Sequence, residues 1–344
     1  MRLDNFWYSK NLVAILLRPL SWIFRLLAAL RRMGYALRLL RRHRIRVPVI
    51  IVGNITVGGT GKTPLVIWLA NYLKSVGYHP GIVSRGYGGK ASRWPQQVRH
   101  DSDPKVVGDE AVIIARHTRC PMAAGPDRVA AAEALLTYAQ CDIVISDDGL
   151  QHYALERDIE IAVVDGVRRM GNGYFLPAGP LRESPKRLRK VDFVVANGVK
   201  RPGEILMRMQ VGKLRNINFP KETRDLHLLK GRPVHAVAAI GNPDRFYRIL
   251  AQAGVRGKRH DFVDHYFFKP EDITFGDNLP VIMTEKDAVK CQPAPGNNYW
   301  YLVVKAQVEE RFGYELVEKL HQLTGAKRNP HKRELATQRL RVNG

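Results

Sequence analysis

Val47-Pro48-Val49-Ile50-Ile51-Val52-Gly53, then Asn54-Ile55-Thr56-Val57, then Gly58-Gly59-Thr60-Gly61-Lys62-Thr63-Pro64 and an apolar-periodic run through Val76, is the stretch that decides the fold. It reads as a buried strand, a glycine-rich turn and a helix. Glycines let backbone N–H groups curl around phosphate oxygens, and the helix N-terminus adds its positive dipole. Lys62 can reach the β- and γ-phosphates of a nucleotide, and Thr63 can offer a hydroxyl to Mg²⁺. Pro64 suits the first helical turn, where a missing N–H costs nothing. The candidate nucleotide-binding segment is therefore Thr56, Val57, Gly58, Gly59, Thr60, Gly61, Lys62 and Thr63, with Thr56 where the usual pattern begins with Gly.

Outward from this turn the chain alternates. Strands are expected at Gly81–Ser84, Asp142–Ser146, Ile159–Val164 and Val191–Val195, and helices at Asp109–Arg116 and Asp127–Tyr138. Strands apolar on both faces and separated by helices imply a parallel sheet covered on both sides, with ligands at the carboxyl ends of the strands. Those ends carry Ser84-Arg85-Gly86-Tyr87-Gly88-Gly89 and Asp147-Asp148-Gly149-Leu150-Gln151-His152. An Asp closing an apolar strand is where such enzymes hold Mg²⁺, so Asp147 or Asp148 is expected to bind it directly or through water. Beyond Asn197 a polar, basic stretch runs to about Arg232. Strands at Val234–Ile240, Val281–Thr284 and Tyr299–Val304 and helices at 242–253 and 308–323 then predict a second, smaller α/β lobe.

The 344 residues suit two domains, and 45% hydrophobic with 25% charged residues is the mixture of a folded protein. Three scattered cysteines fit neither a disulfide framework nor a zinc site. The formal net charge of +23 calls for an anionic partner, and its placement is uneven. Residues 1–46 hold eleven Arg or Lys against one Asp, interleaved with Leu, Ile, Phe and Trp. Arg18, Pro19 and Arg25 interrupt the apolar runs too often for a membrane span, whereas Arg18, Arg25 and Arg32 fall on one helical stripe and Trp7, Tyr8 and Trp22 suit headgroup depth. The expectation is a basic amphipathic helix lying on an anionic membrane, with Arg41, Arg42, Arg44 and Arg46 free for headgroups. The alternative is a helix packed on its own domain with a solvated basic face. Nucleic acid is not expected as a partner.

Val57-Gly58-Gly59-Thr60-Gly61-Lys62-Thr63-Pro64, Ser84-Arg85-Gly86-Tyr87-Gly88-Gly89, Val107-Gly108-Asp109-Glu110, Asp147-Asp148-Gly149-Leu150-Gln151-His152 and Pro180-Leu181-Arg182-Glu183, in this order, resemble the tetraacyldisaccharide 4'-kinase family of Gram-negative bacteria. Phe262-Val263-Asp264-His265-Tyr266 and Thr284-Glu285-Lys286-Asp287-Ala288-Val289-Lys290 extend the resemblance to roughly Leu323. Thr56 matches the family; Val263 stands where the family pattern has Pro. The resemblance implies transfer of the γ-phosphate of ATP, with Mg²⁺, to the 4'-hydroxyl of a tetraacylated diglucosamine 1-phosphate. The implied location is the cytoplasmic face of the inner membrane, with the protein peripheral or monotopic, and a monomer is expected.

The resemblance also implies roles. Asp109 carries over as catalytic base and His265 as its partner, with Lys62 acting on the phosphates. Thr63, Asp147, Asp148 and Glu183 are candidates for the metal, Glu183 alternatively for the ribose. Arg85, Arg128 and Arg182, with Tyr87, Gln151 and His152, are candidates for phosphate or substrate contacts, Arg being suited to bidentate phosphate recognition. The expected organisation is a membrane-associating helix over 1–46, a P-loop kinase domain over 47–225, a smaller lobe over 226–326 and a disordered tail over 327–344. The rival reading is a P-loop ATPase or GTPase that switches conformation without transferring phosphate; a guanine-specificity N-K-x-D motif is absent from the sequence.

Overall fold

The computed structural model describes residues 7–9, 11–291, 294 and 296–324; the tail expected at 327–344 lies outside them. The strands are β1 (Val49–Gly53), β2 (Pro80–Ser84), β3 (Gln96–Gln97), β4 (Met122–Ala124), β5 (Ile143–Asp147), β6 (Ile159–Asp165), β7 (Phe193–Asn197), β8 (Ile205–Asn216), β9 (Thr223–Arg224), β10 (Pro233–Ala238), β11 (Arg256–Asp261), β12 (Val281–Thr284) and β13 (Tyr299–Val308). They form one sheet in the order β11-β10-β12-β13-β8-β7-β6-β1-β5-β2-β4-β3, with β9 beside β8. β1 lies parallel between β5 and β6, and every residue of β1 and β5 is buried. Successive β1 side chains feed opposite cores: Ile50 and Val52 pack with Leu65, Leu69 and Val112, while Val49 and Ile51 pack with Leu135 and Val129. Helices thus cover both faces, the expected P-loop NTPase-like layering.

The sheet is mixed rather than wholly parallel. β8 and β13 pair antiparallel from Trp300 opposite Asn216 to Val308 opposite Met207, with a register shift between Leu302 and Val304. This ladder joins the parallel group around β1 to a second parallel group, β11-β10-β12-β13. The second lobe is therefore an excursion of the chain between β8 and β13. Its helix Pro243–Gln252 buries Phe246, Tyr247 and Leu250 on one face of the sheet, and Ile273, Met283 and Tyr301 pack on the other.

The helix Glu310–Thr324, expected to complete the smaller lobe, instead returns to the first. Phe312, Leu316, Val317 and Leu320 belong to the core that holds Leu65 and Leu69, and the Phe312 ring lies 5.6 Å from Trp68 and 5.2 Å from Phe193. Removing a side chain such as Phe312 from water is worth about 1.5–3 kcal/mol, and this helix has four such residues to bury in a core within reach.

The N-terminal segment also differs from one continuous helix over 1–46. Two helices, Leu12–Leu16 and Arg18–Ala36, meet where Pro19 opens the second, and residues beyond Ala36 are turns and extended chain. Ala14 and Ser21 face the body, and the Ser21 hydroxyl donates to the Phe175 carbonyl at 2.6 Å. The Arg18 and Arg25 guanidiniums lie over the Tyr174 and Phe175 rings. Arg44 pairs with Asp158 and Glu156 while its side chain stays 73% exposed, Arg46 donates to the Leu136 carbonyl, and Arg41 and Arg42 are exposed. The outward surface also exposes apolar side chains among its arginines: Leu16 is 70% exposed and Trp22 62%, with Leu26 and Leu27 beside them. Among the described residues no helix is long and apolar enough to cross a membrane.

Candidate active site

The glycine turn leaves β1 and is held from three sides. Asn54 donates to the Thr60 hydroxyl at 3.2 Å, Asn197 to the Thr60 carbonyl at 3.0 Å, and the Val57 N–H to the Pro180 carbonyl at 2.8 Å. Gly61 has φ +100°, and a Cβ there would lie 2.7 Å from the Met209 methyl and 2.9 Å from the Asn197 amide, so only glycine fits. Among the described residues no main-chain carbonyl accepts the N–H groups of Gly59, Gly61, Lys62 or Thr63. At the mouth of the helix Lys62–Ser75 these donors form an anion cradle.

Beside the cradle the end of β5 supplies two acids in opposite electrical states. Asp148, in the left-handed region at φ 48°, accepts an ion pair from Lys62 at 3.4 Å and both its oxygens lie 3.2 Å from Arg182. Burial opposes its charge, but Lys62 and Arg182 outweigh burial and hold the carboxyl below the usual range. Asp147 is buried with one oxygen lacking any donor among the described residues. Burial, reinforced by Glu110 and Asp148, pushes its carboxyl up to about 7. An orphaned oxygen in an acid-rich pocket fits a divalent cation, as does the Thr63 hydroxyl type at the helix start. No group of three or more His, Cys, Asp or Glu among the described residues makes a complete metal cage, which suits an ion whose remaining ligands are phosphate oxygens and water.

Arg128 lies beneath these acids, almost fully buried and donating to the Gly125 carbonyl at 2.8 Å; burial lowers its guanidinium to about 10 against the pull of Asp147 and Asp148. Arg85 is exposed and near enough to oppose the charge of Arg128. Glu183 is buried among donors: Gln151 and Tyr153 each reach it at 2.7 Å, and Arg187 at 3.5 Å while also pairing with Glu160. Gln151 also donates to the Asn54 carbonyl, so this network steadies the base of the glycine turn.

His152 sits over Arg128, with burial, Arg128 and Arg157 pulling its imidazole down to about 4. The folded protein therefore holds it neutral while the unfolded chain protonates near the ordinary 6.5, so its contribution is intact above that value and lost as pH falls toward 4. Between pH 7 and 5 this residue should remove about 2 kcal/mol of stability. In urea unfolding at the two values, His152→Gln should flatten that part of the dependence; an unchanged slope would show that the ring protonates freely in the fold.

The second constellation lies where the lobes meet. Asp109 opens the helix Asp109–Thr118 and is buried, with Oδ2 3.0 Å from His265 Nδ1, which comes from the loop after β11. Burial opposes its charge, but the His265 hydrogen bond and the charges of Lys286 and Lys290 hold the carboxyl below the usual range. Tyr87 packs its ring 5.0 Å from the His265 ring. Lys290 is fully buried, 3.0 Å from Asp287 and 4.0 Å from Asp109. His117 meets Glu285 at 2.7 Å, so the helix Asp109–Thr118 and the helical turn Glu285–Ala288 are pinned together. Glu110, next to Asp109, acts on Asp147, so the two constellations adjoin. Such a site can cradle a polyphosphate and present a carboxylate to a hydroxyl.

Sequence reasoning named the acids, Lys62, the arginines and His265, but assigned no role to Lys286, Lys290, Asn54, Asn197 or Tyr153. Lys286 and Lys290 stood inside a quoted motif; their offset of four residues, one face of a helix, was the available signal.

The sequence pattern of the family described as Tetraacyldisaccharide-1-P 4'-kinase matches residues 13–321. A tetraacyldisaccharide 4'-kinase from Nitrosococcus oceani is 51% identical over 325 residues, 94% of this chain and 96% of that protein. One from Methylobacillus flagellatus is 48% identical over 93% of this chain and 96% of its own length. A crystal structure of the "apo" form of LpxK from Aquifex aeolicus in complex with ATP is similar with a TM-score of 0.76 and 29% identity, covering 90% of this chain and 99% of that one.

Proposed function

The chain belongs to the tetraacyldisaccharide-1-P 4'-kinase family, and on that premise we propose that it transfers the γ-phosphoryl group of ATP to the 4'-hydroxyl of a tetraacylated diglucosamine 1-phosphate at the cytoplasmic face of the inner membrane. The observation that carries the chemistry is the Asp109–His265 hydrogen bond beside a phosphate cradle. The free N–H groups of the turn and Lys62 hold the β- and γ-phosphates. Thr63 and Asp147, with Asp148 directly or through water, would hold Mg²⁺, which when bound would offset charge on the transferring group. Asp109 accepts the proton of the 4'-hydroxyl as that oxygen bonds to the γ-phosphorus. The bond from γ-phosphorus to the bridging oxygen breaks, and ADP leaves with its electron pair. Arg182, released from Asp148, and Arg85 and Arg128 are placed to meet anionic oxygens, with Tyr87, Gln151 and His152 around the acceptor. Glu183 serves the site through Gln151 and Tyr153. Residues 47–216 with 299–324 form the kinase lobe and the excursion between β8 and β13 the smaller one.

The test is label transfer: ATP carrying labelled γ-phosphate and the acylated disaccharide 1-phosphate should give labelled lipid. Label released only as inorganic phosphate would favour the conformational switch.

The exposed apolar face of the N-terminal helices supports docking on a bilayer, where an acylated sugar resides. Tyr35 lies 5.8 Å from Tyr153, which places the end of that surface beside the site. Replacing Trp22, Leu26 and Leu27 together by Glu should lower sedimentation with anionic vesicles at least ~10-fold, since each removed apolar side chain forfeits about 1.5–3 kcal/mol of burial. Undiminished pelleting would assign docking to another surface.

A further inference from the structure

Lys286 lies on the far side of His265 from Asp109. Its ammonium is 3.3 Å from His265 Nε2, 3.4 Å from Glu110 Oε1 and 3.6 Å from Asp264 Oδ1. The side chain is only 19% exposed, so few waters compete for it. An ammonium has three donors and no acceptor, and here it faces three acceptor atoms. Glu110 adjoins Asp109, Asp264 adjoins His265, and Lys286 lies in the helical turn Glu285–Ala288 after β12, so one side chain gathers three separate segments.

The imidazole is consequently constrained at both nitrogens. At Nδ1 its neighbour is the Asp109 carboxylate, an acceptor, so Nδ1 must carry the hydrogen. At Nε2 the nearer neighbour is a donor that cannot accept, while the Asp264 carboxylate stands farther off at 3.8 Å and pairs with the same ammonium, so Nε2 presents its lone pair to Lys286. We propose that Lys286 is a positioning residue that fixes His265 as the neutral Nδ1–H tautomer and so keeps a hydrogen bond aimed at the base Asp109. The other ring contact, Tyr87, is aromatic and indifferent to the tautomer. The carboxylate's charge is supported in the same arrangement, since Lys286 and Lys290 both act on Asp109. Free imidazole can exchange its single hydrogen between the two nitrogens, and in the Nε2–H form Asp109 would face a lone pair instead of a donor. The inference rests on the reading of Asp109 as base.

The experiment records long-range ¹H–¹⁵N correlation spectra of the full chain with ¹⁵N-labelled histidine at neutral to mildly alkaline pH, with His265 identified by its loss in His265→Gln. Wild type should show Nδ1 protonated and Nε2 as an unprotonated, pyridine-like nitrogen. Lys286→Met, which keeps an unbranched stem and removes every donor, should shift the ring toward Nε2–H or averaging. It should also lower kcat ~10–100-fold with KM for ATP unchanged, while Lys286→Arg, still a donor, restores the wild-type nitrogen pattern and most of kcat. A protonated Nε2 in wild type overturns the proposal without any variant, and so does a Met variant whose ring nitrogens match wild type. The spectra need no substrate, so a failure of lipid labelling would remove the kinase reading and leave the tautomer result standing.

Discussion

Lys62→Ala should reduce phosphate transfer about 10²–10³-fold in kcat, the loss expected when a preorganised positive group is removed from a transferring phosphoryl. Its ammonium, 13% exposed, extends from the first residue of the helix that closes the glycine turn and now pairs with Asp148. A bound triphosphate would draw it onto the β- and γ-oxygens, and the charge would then act where negative charge accumulates. Lys62→Arg should not restore the rate, because a planar, delocalised guanidinium does not reproduce the compact point charge of an ammonium. Asp147→Ala and Asp148→Ala should abolish turnover or raise the Mg²⁺ requirement steeply. Initial rates of label transfer across Mg²⁺ concentrations check all four variants; full activity in Lys62→Ala would remove the phosphate-cradle reading.

Asp109→Ala and His265→Ala should each lower kcat about 10²–10⁴-fold, the contribution of a positioned general base, while nucleotide affinity stays near wild type. The two side chains share one hydrogen bond at 3.0 Å, and each is placed by the other: the His265 backbone adopts φ 62°, and the carboxylate lies between it and the buried Lys290. Residues acting as one unit are non-additive, so the double variant should be scarcely slower than the slower single one. Asp109→Asn is the informative control, since it keeps shape and removes the basic oxygen without leaving Lys290 beside an empty space. Multiplicative losses in the double variant, or weakened ATP binding in either single one, would mean that the pair holds the lobes together without touching the proton.

The first lobe was legible because its strands carry their burial in their composition. Residues 49–52 and 143–145 are apolar without a break, and each run gives way to the glycine or polar residues that open the site. β11, Arg-Gly-Lys-Arg-His-Asp, was not legible, because an edge strand paired on one side needs no apolar pattern and gains from charge. β8 was missed for another reason: its twelve residues serve three neighbours with a register shift and alternate poorly, so the stretch read only as polar and basic. The return of Glu310–Thr324 to the first lobe is a decision among competing apolar surfaces, and amphipathicity says only that some surface must be found. Within the site, charge types and strand ends were readable. The pairing of Asp148 with Lys62 and Arg182, the saturation of Glu183 and the ammonium behind His265 are tertiary facts, set by which loops meet.

Because Phe312 and its neighbours complete the core beneath the helix that carries Lys62, the lobe synthesised first is finished by a segment made only after the whole second lobe. On the ribosome, Trp68 and Phe193 therefore wait with an uncovered apolar face while the entire β9-to-β12 excursion is translated. That order couples completion of the core under the glycine turn to translation of the second lobe, so a product interrupted within that lobe would expose apolar surface to chaperones and proteases.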